Sequence, residues 1–169
     1  DIEENLHIKI PFYDIPLDDS KCYQLFTKAF TTGIFQFESS GMRKFLRELK
    51  PNNFEDIVAA IALFRPGPAA NIDTYIKRKE DREKVTYLDN SLEPILKKTY
   101  GIMIYQEQVM QTVSYYADYS LGEADILRRA ISKKKKEVLV EEEERFLRKA
   151  KALGKDENIS KELFAQILK

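Results

Sequence analysis

Cysteine, histidine and tryptophan are nearly absent from this sequence of 169 residues. It has one cysteine, Cys22, one histidine, His7, and no tryptophan. A single cysteine excludes a disulfide within the chain, and these two residues are too few soft ligands for a zinc site. No Ser/His/Asp or Cys/His arrangement can be assembled, so we expect no catalytic residue and no metal site in this chain. The low cysteine content is typical of an intracellular protein.

Long apolar runs are also missing. The run IVAAIALF, at residues 57–64, is far shorter than the roughly 20 residues that cross a bilayer, so we expect no membrane partner. The first ten residues, DIEENLHIKI, lack the basic and apolar regions of a signal peptide. The last residues, KELFAQILK, stop inside an amphipathic pattern without a cap. We therefore expect both ends to be cuts in a longer protein.

The charge is balanced in total but uneven along the chain. The 28 basic and 28 acidic residues give a formal net charge of zero, yet residues 126–169 contain thirteen basic and eight acidic residues. A nucleic-acid partner is therefore expected to bind near the C-terminal third rather than all over the surface. The sequence has no Walker-type glycine loop, no GxGxxG and no Asp-x-Asp pair in a predicted strand. A two-metal phosphoryl-transfer centre would need ligands from outside this chain.

Hydrophobic periodicity predicts a mainly α-helical domain with a few short β-strands. Apolar residues recur at three- and four-residue spacing in segments 20–30, 40–49, 54–64, 69–81, 106–118 and 121–132, and in a charged segment that ends near Leu153. Asp18 or Asp19 is expected to cap the first of these helices, and Ser39 or Ser40 the second. Alternating apolar or aromatic residues predict short strands at 33–37, 83–88 and 102–105. No linker divides the chain, so we expect one multi-helix domain.

The segment after Ser120 carries a clear helix start. Ser120 and Glu123 have the spacing of a capping box, in which each side chain bonds to the backbone N–H of the other residue. The apolar residues that we expect to be buried are Leu121, Ala124, Leu127 and Ile131. Arg128 and Arg129 then lie beside this stripe, near the C-terminal end of the helix.

The residues alone leave two interpretations of Arg128 and Arg129. A guanidinium can donate two parallel hydrogen bonds to phosphate oxygens and keeps its charge, which suits a triphosphate. The alternative is structural, because two cations near a helix C-terminus stabilise the helix dipole and can pair with Glu123, Asp125 or Glu137.

Four consecutive lysines follow at positions 133–136, and glutamates occupy positions 137 and 141–144. Four consecutive helical residues point to every side of the helix, so one groove cannot use them all. We expect Lys135 and Lys136 to form a solvated face that pairs with the glutamates at spacings of three and four. Lys133 and Lys134 lie nearer the arginines and are candidates for a phosphate contact.

Three tyrosines precede this helix. Tyr116 falls on the apolar stripe of its segment, with Val109 and Val113, and is predicted to be part of the core. Tyr115 and Tyr119 could be exposed rings that stack on single-stranded bases, but packing against the protein is the favoured interpretation.

Four motifs in a fixed order resemble one protein family. They are TTGIFQFESSGMR (31–43), LKPNNFEDIVAAIALFRPGP (49–68), TYGIMIYQEQVMQ (99–111) and ADILRRAISKK (124–134). They are similar to motifs of the alpha (catalytic) subunit of bacterial DNA polymerase III, in the DnaE-type branch of the C-family DNA polymerases. The resemblance covers about residues 14–169. It implies one fingers domain over residues 1–169, with an inner lobe at 1–98 and an outer helical lobe at 99–169.

The resemblance implies a DNA-directed DNA polymerase, which is a nucleotidyltransferase of chromosomal replication. In this family the palm precedes the fingers and its aspartates hold two Mg²⁺ ions, so the metal cofactor would be bound outside this chain. The isolated fragment is accordingly expected to be inactive. Arg128 and Arg129 would face the phosphates of the incoming deoxynucleoside triphosphate (dNTP), and Lys133 and Lys134 would contact nucleotide or DNA.

The resemblance also implies partners and a location. The partners are dNTP, primer-template DNA, the palm of the same polymerase and, through other domains, the sliding clamp and holoenzyme subunits, in the bacterial cytoplasm. One departure concerns the site: the family often has Met-Gly where this chain has Ile131 and Ser132, so we expect a more regular helix there. The alternative function is a non-catalytic helical module that binds nucleic acid through a basic patch.

Overall fold

Helices make up most of the computed structural model, which describes residues 2–9 and 11–168. The ten α-helices within these residues are α1 (Ile2–Leu6), α2 (Ser20–Thr27), α3 (Ser40–Leu49), α4 (Phe54–Leu63), α5 (Ile72–Lys79), α6 (Glu93–Leu96), α7 (Gln106–Ala117), α8 (Leu121–Ser132), α9 (Lys136–Ala152) and α10 (Glu157–Ile167). Short 3₁₀ turns lie at Phe12–Asp14, Pro68–Asn71, Asn90–Leu92 and Lys97–Thr99. The prediction of a mainly helical protein is confirmed.

The chain divides into two compact units, Asp1–Ala60 and Ile61–Lys169. The division falls within α4, so the first unit contains α1 to α3 and most of α4, and the second contains α5 to α10. The lobes expected from the sequence, 1–98 and 99–169, have a different boundary and stay a prediction.

In the first unit, α2 and α3 both start at predicted caps. Asp19 accepts hydrogen bonds from two backbone N–H groups in the first turn of α2, at 2.7 and 3.2 Å. Ser39 accepts one from the N–H of Met42 at 3.2 Å. The rings of Phe26 and Phe37 meet edge to face, with centroids 5.0 Å apart. The buried apolar side chains of this part of the first unit include Phe37, Met42, Phe45, Leu46 and Leu49.

The first predicted strand, at residues 33–37, is a tight turn. Gly33 has a φ of +80° and Gln36 a φ of +68°, values that a β-strand excludes. The Thr31 hydroxyl donates to the carbonyl oxygen of Phe37 at 2.6 Å and closes the turn. The prediction of a strand here is wrong because alternating side-chain polarity carries no information about the sign of φ.

The other two predicted strands, at 83–88 and 102–105, also form no ladder in the described part of the chain. The two segments approach each other at Gly101, where a Cβ would lie only 2.6 Å from the carbonyl oxygen of Thr86. The side chain of Gln108 accepts hydrogen bonds from two consecutive backbone N–H groups near this point, both at 3.0 Å. These backbone N–H groups of residues 104 and 105 bond to a side-chain amide and not to a neighbouring strand. The two expected strands are not found in the described part of the chain.

An aromatic cluster joins α7, α9 and α10 in the second unit. Phe146 of α9 is fully buried, and its ring centroid lies 5.8 Å from that of Tyr116. The centroid of Phe164 on α10 is 5.3 Å away, and that of Tyr119 is 6.3 Å away. The buried members of this core are Leu92, Leu96, Val113, Tyr116, Ala117, Tyr119, Ala124, Leu127, Phe146, Ala150, Leu163, Phe164 and Ile167.

A polar network is buried beside the aromatic cluster. The Tyr119 hydroxyl donates to the Glu142 carboxylate at 3.1 Å, and Arg145 Nη1 pairs with the same carboxylate at 3.0 Å. Glu142 is only 3% exposed, so these two partners replace the water that its charge has lost. Burial, and then the charge of Glu142, raise the pKa of Tyr119, which therefore stays protonated and keeps its donor.

We expect Tyr119→Phe to lower the free energy of unfolding by about 1–3 kcal/mol, because the buried Glu142 carboxylate loses a donor. Urea unfolding of the 169-residue chain at pH 7, followed by circular dichroism, measures the change. The matched control is Tyr115→Phe, since the ring of Tyr115 is 58% exposed and its loss of a hydroxyl should cost less than about 0.5 kcal/mol. Equal effects of the two substitutions would contradict the network.

Candidate functional site

The helix that carries the two arginines, α8, starts at a complete capping box. The Ser120 N–H donates to Glu123 Oε2 at 2.8 Å, and the Glu123 N–H donates to Ser120 Oγ at 3.3 Å. Lys149 of α9 reaches the same Glu123 oxygen at 3.0 Å. The backbone bond from Ser120, followed by the bond from Lys149, lowers the pKa of Glu123 to about 2. The predicted capping box is confirmed, and it ties the start of α8 to α9.

The buried face of α8 consists of Ala124, Leu127 and Ala130, each at most 3% exposed. The predicted stripe is therefore confirmed at Ala124 and Leu127, and Ile131 is partly buried against the core. Leu121 is 78% exposed, contrary to the prediction. Ala124, Leu127 and Ala130 define the buried face of α8. Leu121, in the first turn, lies outside this face and is therefore exposed.

Arg128 and Arg129 share one carboxylate, that of Asp125. Arg128 Nη2 lies 2.6 Å and Nε lies 3.0 Å from Asp125 Oδ1, and Arg129 Nε lies 2.7 Å from Asp125 Oδ2. Arg128 Nη1 also donates to the Gln106 side chain at 3.3 Å. The side chain of Arg128 is 30% exposed and that of Arg129 is 66% exposed. Hydrogen bonds from Arg128 lower the pKa of Asp125, so this carboxylate is ionised at neutral pH.

The group formed by Arg128, Arg129 and Asp125 has a net charge of plus one. The bonds to Asp125 and Gln106 use fewer than the five N–H groups of each guanidinium, so both arginines can bind a further anion without leaving Asp125. The pairing with Asp125 that the structural interpretation expects is present. It does not exclude a phosphate, because one carboxylate neutralises only one of the two cations.

The four lysines at 133–136 lie at the turn between α8 and α9. α8 runs through Ile131 and ends at Ser132, and Lys134 then has a φ of +50°. Backbone N–H groups of Lys134 and Lys135 donate to carbonyl oxygens in the last turn of α8, at 3.0 and 3.1 Å. The helix is thus regular where the family often has Met-Gly, as expected, but it breaks two residues later.

All four lysines are exposed, and none forms an ion pair within the residues that the structure describes. The expectation that Lys135 and Lys136 are solvated is therefore confirmed, but their expected pairing with the glutamates is wrong. The residues three and four positions after Lys136 are Leu139 and Val140, so the helix geometry offers no carboxylate at those spacings. Lys133 and Lys134 lie outside both helices and keep their charges free.

The three tyrosines before α8 differ in burial. Tyr116 is fully buried, as expected, whereas Tyr115 is 58% exposed, contrary to the favoured interpretation that it packs. Tyr119 is 4% exposed, so the favoured interpretation is confirmed for this residue, and its ring cannot stack on a base. Its ring also lies beneath Lys149, with Nζ 4.9 Å from the centroid. The signal for burial was Glu142, a hydrogen-bond partner 23 residues further along the chain, which local spacing does not reveal.

Two further kinds of site can be assessed over the described residues. Among these, no group of three or more His, Cys, Asp or Glu side chains is placed to hold a metal ion. No helix in the same part of the chain is long and apolar enough to span a membrane.

Comparison with known proteins decides the family. The sequence profile described as the bacterial DNA polymerase III alpha subunit finger domain matches residues 1–154. The chain belongs to this finger-domain family. The resemblance inferred from the four motifs is thereby confirmed.

Relatives of this finger domain occur in staphylococci. The DNA polymerase III subunit alpha of Staphylococcus aureus strain Mu50 is 54% identical over 168 residues, that of strain MRSA252 is 53% identical, and that of Staphylococcus epidermidis is 51% identical. Each alignment covers 99% of this chain and 16% of the relative. The chain therefore spans about a sixth of the length of the curated relatives it matches.

We expect Glu123→Gln to destabilise the chain by about 1 kcal/mol at pH 7, which is the scale of a helix cap. The folded-state pKa of Glu123, about 2, lies below the usual 4.5, so the carboxylate stabilises the fold above pH 4.5 and loses this effect as the pH falls toward 2. The deficit of the variant should therefore shrink between pH 5 and pH 3 in urea unfolding. Glu141→Gln, which changes an exposed glutamate of α9, is the control. A deficit that does not change with pH would contradict the cap.

Proposed function

We propose that this chain forms the fingers portion of a DNA-directed DNA polymerase of chromosomal replication, and that Arg128 and Arg129 bind the triphosphate of the incoming dNTP. Membership of the finger-domain family supports the polymerase. The observation that carries the site is the convergence of both guanidiniums on Asp125, at 2.6 and 2.7 Å. It holds two positive charges within one helical turn, and only one of them is neutralised.

In this proposal Asp125 supports both arginines before the nucleotide arrives. Hydrogen bonds to one carboxylate orient two flexible side chains, so less side-chain entropy is lost when the triphosphate binds. Arg128 is about one-third exposed, and its ion pair alone adds little stability. The N–H groups that Asp125 and Gln106 leave unused would donate to the phosphate oxygens.

The arginines would stabilise charge during nucleotidyl transfer. As the primer 3′-hydroxyl attacks, negative charge builds up on the pyrophosphate that leaves. Cations fixed beside those oxygens stabilise the transition state more than the bound substrate, which is the condition for a faster reaction. Mg²⁺, which neutralises the phosphates, would be held by palm aspartates outside this chain, so the chain alone is expected to be inactive.

Lys133 and Lys134 would add a contact to the nucleotide or to primer-template DNA. Both lysines are exposed at the turn that directly follows the arginine helix. The other proposed partners follow from the family: the palm of the same polymerase and, through other domains, the sliding clamp and holoenzyme subunits, in the bacterial cytoplasm.

A non-catalytic helical module that binds nucleic acid through a basic patch is the second candidate function. The observation that favours it is the exposure of the four lysines at 133–136, which have no ion-pair partner among the described residues. Such lysines bind the backbone phosphates of a nucleic acid whatever its base sequence, and this binding depends strongly on salt concentration. The two functions therefore differ in which cations carry the binding.

In the full-length polymerase that contains this domain, we expect Arg128→Ala and Arg129→Ala each to lower kcat/KM for single-nucleotide incorporation by about 10²–10³-fold. Each substitution removes a fixed donor to the triphosphate, while affinity for primer-template DNA should stay unchanged. Single-turnover incorporation on one primed template measures the rate, and circular dichroism checks the fold.

The controls separate charge from geometry. Arg47→Ala, on the exposed side of α3, removes an arginine that has no ion pair in the described chain, and should leave incorporation unchanged. Arg128→Lys should recover only part of the rate, because an ammonium keeps the charge and loses the two-bond fork. Normal incorporation by both alanine variants would return the arginine pair to a structural role.

Replacement of all four lysines at 133–136 by glutamine discriminates between the two candidate functions. If only Lys133 and Lys134 contact DNA, the slope of log affinity for DNA against log salt concentration should fall by about 1–2, and incorporation should fall less than in the arginine variants. A fall in slope of about 3 or more, with arginine variants that incorporate normally, would favour the nucleic-acid module. Fluorescence anisotropy with a labelled primer-template measures the slope.

A further inference from the structure

A small basic cavity lies at the turn between α9 and α10, at the opposite end of α9 from the lysine run. Its volume is about 180 Å³, and it is lined by Leu147, Arg148, Lys151, Lys155, Glu157 and Ser160. Three of these six residues are cations and one is an anion. None of them belongs to the four motifs that carry the family resemblance.

Arg148 and Lys151 are the free cations of this cavity. They are three residues apart on α9, so their side chains lie on the same face of the helix. Both are exposed, and neither side chain forms a hydrogen bond or an ion pair with any residue that the structure describes. Glu144 has the spacing to pair with Arg148, yet no ion pair forms between them.

Lys155 is held in place on another wall of the cavity. Its Nζ lies 4.7 Å from the ring centroid of Tyr116 and 3.5 Å from both Asp89 Oδ2 and Ser91 Oγ. Because Asp89 is its carboxylate partner, Lys155 contributes a positioned N–H donor rather than a free cation.

Glu157 does not cancel the charge of the two free cations. Its carboxylate bonds to Lys161 at 2.6 Å, one helical turn further along α10. The hydrogen bond and charge of Lys161, and then the charge of Lys151, lower the pKa of Glu157, which is therefore ionised and balanced by Lys161. The cavity keeps a charge close to plus two, from Arg148 and Lys151.

The size and lining of the cavity fit a phosphate group better than a whole nucleotide. Pockets for small organic ligands usually measure about 300–1,000 Å³, which is larger than this cavity. None of its lining residues is aromatic, so a base would have no ring to stack on. Arg148 supplies a fork that matches two phosphate oxygens, and Lys151 supplies a point charge beside it.

We propose that Arg148 and Lys151 form an anion site that binds a backbone phosphate of a DNA strand. The charges and the volume define the phosphate, and the choice of DNA as its source rests on the proposed function. α9 has 17 residues and is therefore about 25 Å long, and the glutamates at 141–144 lie between its two ends. The site is thus separate from Arg128 and Arg129, and it holds a strand rather than the incoming nucleotide.

The test uses the full-length polymerase with the double substitution Arg148→Gln/Lys151→Gln. The matched control is Lys44→Gln/Arg47→Gln, which removes an exposed Lys/Arg pair at the same spacing on α3, likewise without ion pairs in the described chain. Affinity for a labelled primer-template and for a single-stranded oligonucleotide is measured by anisotropy between 50 and 200 mM salt. The swap Arg148→Lys/Lys151→Arg keeps both charges and checks that the fold tolerates change at these positions.

The proposal expects the glutamine pair to weaken DNA binding by about tenfold and to lower the salt slope by about 0.7–0.9, the effect of one phosphate. The KM for dNTP should stay unchanged, and the charge swap should bind DNA normally. An increased KM for dNTP with normal DNA affinity would identify a free nucleotide as the ligand and overturn the proposal. Equal losses in the α3 control would also overturn it, because they would show an unspecific charge effect.

This result is independent of the arginine pair on α8. If the Arg128→Ala and Arg129→Ala variants incorporate nucleotide normally while the Arg148→Gln/Lys151→Gln variant still binds DNA more weakly, the proposed triphosphate site fails and the anion site stands. If the α8 arginine variants behave as proposed and the Arg148→Gln/Lys151→Gln variant binds DNA with normal affinity, the anion site alone fails.

Discussion

The stacking of Phe146 on Tyr116 is the contact on which the second unit depends, because it joins α9 to α7 at the centre of the core. The rings lie 5.8 Å apart and nearly parallel, and both side chains are fully buried. Truncation of a buried Phe to Ala typically costs about 3–5 kcal/mol, a large part of the 5–15 kcal/mol that stabilises a domain. α8 packs into the same core through Ala124 and Leu127, so the arginines it carries are placed by this apolar contact.

The cations of the second unit fall into two classes. Arg128, Arg129 and Lys149 each bond to a carboxylate of the same unit, which fixes their positions. The lysines at 133–136, together with Arg148 and Lys151, have no such partner among the described residues and keep their full charge. Fixed cations suit a reaction that needs geometry, and free cations suit attraction to a polyanion. Since the free cations lie at both ends of α9, with glutamates between them, the helix carries two separate regions of positive charge.

Local signals made much of this predictable. The capping box of Ser120 and Glu123 was predictable because both partners lie within one turn, and the burial of Ala124 and Leu127 on α8 followed from their spacing. The partner of the Tyr119 hydroxyl was not predictable, because Glu142 is 23 residues away and only folding brings the two together. The predicted strand at 33–37 failed because polarity patterns do not encode a positive φ. The ion pairs expected for the lysine run are absent because the helix breaks at Lys134, before Glu137, and because the positions three and four residues after Lys135 and Lys136 are apolar.

The most direct measurement is an experimental structure of the full-length polymerase with primer-template DNA and an incoming dNTP, in which the distances from Arg128 and Arg129 to the phosphate oxygens are read. We expect N···O distances of about 2.7–3.2 Å between both guanidiniums and the triphosphate oxygens, with Asp125 still bonded to at least one of the two arginines. Guanidiniums that remain bonded only to Asp125, with the triphosphate beyond hydrogen-bond reach, would contradict it.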